Sequence, residues 1–195
     1  MQTYDKHRIG KMLAWRGDHF VYEYGSDEVI KFSKLDYLLG FAKAQQVLPR
    51  EYALFKEFFG EYLLTTHFAS SPNGRYIASI QPRLYGKSLR LSDLKDESIA
   101  EQCREIIAAH HRLVENGHPE IDLMGHEGVF HLWNRCFGNI IITQDNQLRI
   151  FDATSLDLNH FAPFTHPVMA PLFRIFQGVQ NSAIRAFKKE LRMSV

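Results

Sequence analysis

Apolar and polar side chains alternate early in this chain. In FVYEYGSDEVIKF, Phe20 to Phe32, aromatic and β-branched residues flank a Gly-Ser-Asp turn, which predicts a hairpin. Leu35 to Val47 has helical composition interrupted by Gly40, and Pro49 suits the first turn of a helix running to about Tyr62. On that helix Leu54, Phe55, Phe58 and Tyr62 share one face. LLTTHF and RYIASIQ read as strands joined by SSPNG, because Pro-Asn-Gly is a strong turn signal. LYGKSLRLSDL loses its period and reads as a connector. A helical stripe resumes near Asp96 with Ile99, Cys103, Ile106, Ile107, His110, Leu113 and Val114, and Gly117 is its stop. Residues 118–137 show no period. GNIIITQDNQLRIFDAT, Gly138 to Thr154, then gives two short apolar strands about a polar turn. Leu172, Phe173, Phe176, Val179, Ala183, Phe187 and Leu191 mark a last amphipathic helix.

This order predicts an α+β fold with an N-terminal antiparallel sheet and one helix facing a mostly helical second half. Residues 1–195 read as a single domain: a first lobe over 1–82, a connector over 83–92 and a second lobe over 93–195. Composition leaves that picture intact. The chain is 45% hydrophobic and 23% charged, an ordinary globular balance, and fifteen Phe with eight Tyr supply a core. A net charge of +1 offers no basic field for nucleic acid, so none is expected as a partner. The start, MQTYDKHRIGK, lacks the apolar stretch of a signal peptide. No run of about 18 apolar residues predicts a membrane span. Two cysteines, Cys103 on a helical face and Cys136 in a polar loop, make no disulfide framework. The expected setting is a reducing one, the cytoplasm.

The hairpin raises a chemical question. Its turn returns Asp152 to the end where Asn139 opens the first strand, so two oxygen-bearing side chains become neighbours. They are either a cation site or two unrelated caps. Magnesium prefers oxygen ligands and keeps several waters, so one or two protein oxygens plus phosphates suffice to hold it. A lysine on a facing sheet would add fixed positive charge, and a nearby glutamate would keep it ionised and aimed.

With VIK, Val29 to Lys31, and Glu51 twenty residues on, the arrangement resembles the protein-kinase-like superfamily over roughly residues 10–155. The resemblance implies a two-lobed fold with a reduced helical C-terminal lobe, binding ATP and Mg2+. In it Lys31 grips nucleotide phosphate and Glu51 steadies that lysine. RYIASIQPRLYGKSL resembles the strand and hinge between lobes, which puts Gln81 among the nucleotide-facing residues. Asn139 and Asp152 resemble the catalytic-loop Asn and the metal-binding Asp. Five positions before Asn139 the family carries its catalytic Asp; here Asn134 stands there, in HLWNRCFGN. An amide cannot take a hydroxyl proton as a carboxylate does, so His131, Asp122 or Glu127 must substitute if the loop folds differently. The phosphate loop's glycines are missing apart from Gly17, and Ala153-Thr154 follows Asp152 in place of Phe-Gly.

The resemblance therefore implies a kinase-like ATP/Mg-binding protein that transfers phosphate slowly to a protein or small-molecule hydroxyl. The alternative is an inactive pseudokinase serving as a binding or regulatory module. An α+β interaction protein with accidental motif matches is the third reading. Blander roles stand beside each residue: a solvent lysine at Lys31, a helix-dipole partner at Glu51, caps at Asn139 and Asp152. His118, His126, His131 and Cys136 lack the paired spacing of zinc ligands. Neither a dinucleotide fingerprint, a P-loop nor a serine-hydrolase elbow is present. Arg185, Lys188, Lys189 and Arg192 read as a solvated face of the last helix.

Overall fold

The predicted hairpin is realised, and strand structure begins ahead of it. The computed structural model describes residues 1–16, 19–33, 41–125, 136–157 and 166–193. β1 (Gln2–Thr3), β2 (Ile9–Arg16), β3 (His19–Tyr24) and β4 (Glu28–Ser33) precede α1 (Phe41–Phe59), and β5 (His67–Ser70) and β6 (Ile77–Pro82) follow it. These strands form one sheet in the order β1-β5-β6-β4-β3-β2, antiparallel except for the β1–β5 pair. Next come β7 (Gly86–Arg90), α2 (Glu97–Glu115), β8 (Cys136–Thr143), β9 (Leu148–Ile150) and α3 (His166–Glu190). A second, antiparallel sheet has the order β7-β8-β9. Among the described residues the fold is mixed α+β with three α-helices, and no helix is long and apolar enough to cross a membrane.

Several expectations change here. Pro49 lies inside α1, which runs on from Phe41, rather than in the first turn of a helix. Proline removes an amide donor and crowds the carbonyl four residues back. Packing past that point holds the helix instead, because Phe55 and Phe59 are both buried in the core. The part of the expected helical stretch before Phe41 lies outside the described residues.

The connector contains a strand. β7 pairs with β8 from Gly86↔Thr143 to Arg90↔Cys136. Glycine is required at its start, since a Cβ on Gly86 would run into the Ile142 carbonyl. The second half therefore owns a sheet as well as helices. Cys136 opens β8 and is buried rather than sitting in a polar loop. Val114 and Leu172, both placed on inward stripes, are exposed.

Two apolar clusters divide the molecule. The smaller lies on one face of the six-stranded sheet, around Tyr4, Tyr24, Ile30, Ala69, Ala78 and Ile80. The larger joins α1, α2, α3 and the second sheet; Phe137 of β8 meets Phe187 of α3 with ring centroids 4.3 Å apart. Polar clamps fix the β8–β9 turn to the start of α2. Asp96 caps α2 through the Ser98 amide at 2.9 Å and accepts from Asn146 Nδ2 at 3.1 Å. Gln102 Oε1 accepts from the Leu148 amide at 2.8 Å, and its Nε2 donates to the Asn146 carbonyl at 3.0 Å. The hairpin's far end is thereby anchored, which steadies the near end where Asn139 and Asp152 lie.

Phe187→Ala should lower unfolding stability by about 3–5 kcal/mol, the cost of emptying a fully packed aromatic site. Leu172→Ala, at an exposed position, should change it by less than about 0.5 kcal/mol. Denaturant midpoints at unchanged slope measure both, and equal losses would contradict the packing described.

Candidate functional site

β4 is an inner strand, paired to β3 through Val21↔Lys31 and to β6 through Lys31↔Ser79. Both its faces are covered. Ile30 and Phe32 turn to the smaller cluster, where Phe32 meets Tyr4 and Tyr22 edge-on. Alternation sends Val29 and Lys31 to the other face. Lys31 is only 8% exposed. Its Nζ donates to the Phe151 carbonyl at 2.7 Å and stands 4.7 Å from the centre of the Phe151 ring. A buried ammonium requires partners of this kind, a carbonyl dipole and the negative face of an aromatic ring.

Phe151 is held from two further sides. Its amide donates to the Asn139 carbonyl at 3.2 Å, and the preceding Ile150 carbonyl accepts from Leu64 at 2.9 Å. Asp152 comes next, with Oδ1 accepting from Thr154 Oγ1 at 2.7 Å. Ser155 Oγ then donates to Glu51 Oε1 at 2.9 Å. The segment 151–155 is thus where Lys31 of β4, Glu51 of α1 and Asn139 of β8 arrive beside Asp152. Asn139 sits within β8 rather than opening it, and Asp152 lies just past β9; the register that pairs Ile140 with Ile150 sets Asn139 against Phe151, one residue before Asp152.

A ledge of backbone supports Asn139. Its amide and that of Gly138 donate to the carbonyls of Leu123 and Met124 at 3.2 and 2.9 Å. Its side-chain Nδ2 donates to the Asp122 carbonyl at 2.9 Å. Asp122 Oδ1 accepts from the Met124 and Gly125 amides at 2.9 and 3.0 Å. That carboxylate, considered above as a stand-in base, helps build the turn that ends at Gly125. Gly125 adopts φ +56°, and a Cβ there would collide with Asn139 Oδ1. The amide is oriented by these contacts, nitrogen toward residue 122 and oxygen toward Gly125. Gln81 is buried on the same sheet face as Lys31, one pair along, opposite Val29. His118 packs edge-on against Phe58, with centroids 5.6 Å apart. Asn134 and His131, with His126 and Glu127, lie outside the described residues.

The ledge is braced by a residue that sequence reading passed over. Gln180 of α3 is fully buried. Its Oε1 accepts from the Leu123 amide at 2.8 Å, and its Nε2 donates to the Ile121 carbonyl at 3.0 Å and Glu120 Oε2 at 3.2 Å. His110 Nε2, from α2, is 3.4 Å from the same nitrogen. Burial, with His111 and Lys188 adding to it, pushes the His110 pKa down to about 4. Burial raises that of Glu120. The available signal for Gln180 was its place one turn from Phe176 and Ala183 on the inward stripe. Neither the models of known protein families nor the curated proteins give a match to this chain.

The His110 environment sets a pH dependence. In the folded chain the ring stays neutral down to about pH 4, while in the unfolded chain it protonates near 6.5. Between those values the unfolded state binds the extra proton, so stability falls as pH drops through the window. Glu120, raised in the folded state, works in the opposite direction. His110→Gln should flatten the acid limb between about pH 6.5 and 4 in urea titrations; an unchanged limb would place the titration elsewhere.

Proposed function

We propose that the chain is a kinase-like, two-lobed protein that binds ATP with magnesium between the six-stranded sheet and the segment 151–155. The observation that carries this reading is the Lys31 contact: a buried ammonium from the first sheet is delivered beside Asp152, on a residue whose amide is paired to Asn139. A triphosphate with its metal asks for this combination of one fixed cation and hard oxygen donors. Among the described residues no group of three or more His, Cys, Asp or Glu could hold a metal alone. An Asp152 carboxylate, and an Asn139 amide oxygen turned from its place against Gly125, would serve a magnesium ion that takes its remaining ligands from phosphate and water.

Bound magnesium ATP would supply a transferable phosphoryl group and the charge that neutralises it. Lys31 would exchange the Phe151 carbonyl for phosphate oxygen, and Glu51 would stand behind it. Gln81 lines the same face. The acceptor is a hydroxyl on a protein or small molecule. Positioning and charge neutralisation carry most phosphoryl transfer, so transfer without a carboxylate at Asn134 would be slow rather than absent. The buried cysteines Cys103 and Cys136, neither of them in a disulfide, fit a reducing, cytoplasmic setting.

One observation favours the second reading, a pseudokinase whose nucleotide stabilises a shape. Lys31, the Asn139 amide and Asp152 are each engaged by the chain itself. The Lys31 bond ties the first sheet to the segment 151–155, and a ligand that displaced it would change the relation of the two.

Thermal or urea denaturation with ATP, with and without magnesium, tests the binding common to both readings. At a hundred times its dissociation constant, ATP should add about 2.7 kcal/mol to the wild type and much less to Lys31→Ala or Asp152→Ala. No magnesium-dependent gain at millimolar ATP sinks the proposal. Labelled ATP separates the two readings: phosphate incorporated by the wild type and absent with Asp152→Ala marks a transferase, and its absence with binding retained marks a pseudokinase.

A further inference from the structure

A groove of about 450 Å³ lies between α2 and the end of α1. Phe58, Phe59 and Ala109 give it an apolar floor. Its rim is acidic: Glu57 and Glu61 stand on one side and Glu105 on the other, all exposed, against Arg112. Tyr62 donates to Glu105 Oε2 at 2.6 Å, a neutral donor that leaves the carboxylate its charge. Among the described residues no ion pair takes up Glu57 or Glu61. The last turn of α1 adds the negative end of its dipole, which favours a cation and is ill matched to Glu57. The groove therefore suits an apolar group flanked by positive charge.

α3 presents that combination. Gln180, Ala183 and Phe187 are buried on its inner face. Half a turn round the helix, Ile175, Gly178, Ser182 and Lys189 form an exposed strip. Leu172 and Ile175 lie along one flank of it, 43% and 61% exposed. Arg174 and Arg185, also exposed, lie along the other. Among the described residues no ion pair takes up Arg174, Arg185 or Lys189. Between the flanks the helix surface is low, and a Cβ built on Gly178 would meet nothing within 4 Å. One chain cannot lay this strip into its own groove. α3 meets the His110 side of α2 through Gln180, with the strip turned away, whereas Glu105, Ala109 and Arg112 line the groove.

We propose that the groove of one molecule receives the α3 strip of a second copy of this chain. Ile175 seats on the floor at Phe58 and Phe59, and Arg174 and Arg185 meet the carboxylates of the rim. The lengths agree: Ile175 to Ser182 and Glu105 to Arg112 each cover about 10 Å of helix. The two surfaces differ, so the contact is head to tail, and each joined pair keeps one groove and one strip for further copies. A floor of three side chains places it among weak interfaces, formed at high protein concentration. Its rim charges are exposed, so salt weakens it.

Sedimentation equilibrium of the full chain, from low micromolar to submillimolar concentration, tests this. The wild type should rise above monomer mass as concentration grows, and its association constant should fall about tenfold between low and high salt. Glu57→Lys with Glu61→Lys spoils the groove, and Arg174→Glu with Ile175→Asp spoils the strip. Each double variant alone should stay monomeric. Mixed in equal amounts they should form a complex that stops at two chains, because the first keeps its strip and the second its groove. A wild type that stays monomeric throughout overturns the proposal, as does association that either variant retains. Association lost in both and not restored by mixing assigns a self-complementary contact and overturns it too. All four substituted positions are exposed, so urea midpoints should match the wild type. Amide exchange on the wild type needs no variant: it should slow over 57–62 and 172–185 as concentration rises, and protection confined to other segments would refute the docking.

Discussion

The structure turns on where an ammonium can be put once it leaves water. Lys31 stands in the middle of an inner strand paired on both sides, so its side chain is confined to one face of the sheet, where it is buried. A charge in that position must meet dipoles brought to it by other parts of the chain. The Phe151 carbonyl is such a dipole, and the ring of the same residue closes over the charge. The partner is main chain rather than a flexible carboxylate, so the contact dictates where the backbone at 151 runs. The position of β9 relative to β4, and with it the approach of α1 through Glu51 and Ser155, follows from that requirement.

Around this contact the chain solves a second problem, that of irregular backbone lying inside a fold. The segment 121–124 belongs to no helix or longer strand, and its sheet contact is an isolated bridge from Ile121 to Ser155. Its groups are taken up one by one: by β8 at Gly138 and Asn139, by the carboxylate of Asp122, by Thr154 and by the amide of Gln180. Each of these partners has a fixed orientation, which is why the ledge can set the direction of the Asn139 side chain. Buried polar networks act in this way as templates for geometry as much as sources of stability.

The part of this arrangement that sequence could supply was the part carried by local pattern. The 20–32 hairpin, the two strands about Pro-Asn-Gly, the helix capped by Asp96 and the hairpin joining Asn139 to Asp152 all follow from alternation and turn chemistry. β7 escaped because five residues beginning with a glycine give too few repeats, and its pairing partner lies far along the chain. Pro49 misled because its preference for a first helical turn is a local rule, whereas the buried pair Phe55 and Phe59 is a tertiary fact. Gln180 escaped for a related reason: a glutamine on an apolar stripe looks like a surface residue until the carbonyl and amide it serves are known. Order and spacing single out Lys31 and Glu51, but not the bonds that take them to Phe151 and Ser155, because those exist only after both sheets have formed.

The distance between Lys31 and Phe151 along the chain, 120 positions, has a consequence for the route by which the molecule assembles. The β2–β3–β4 meander closes short loops and can form early, whereas the acceptor for its lysine arrives only after most of the chain has been placed. Until then the strand carries a charge whose own side of the sheet cannot be dehydrated. The first sheet is in this sense held wet by one side chain, and its drying is postponed to a late, long-range event. That delay couples completion of the N-terminal half to completion of the C-terminal half. It makes folding of the two parts a joint transition even though their apolar clusters are separate.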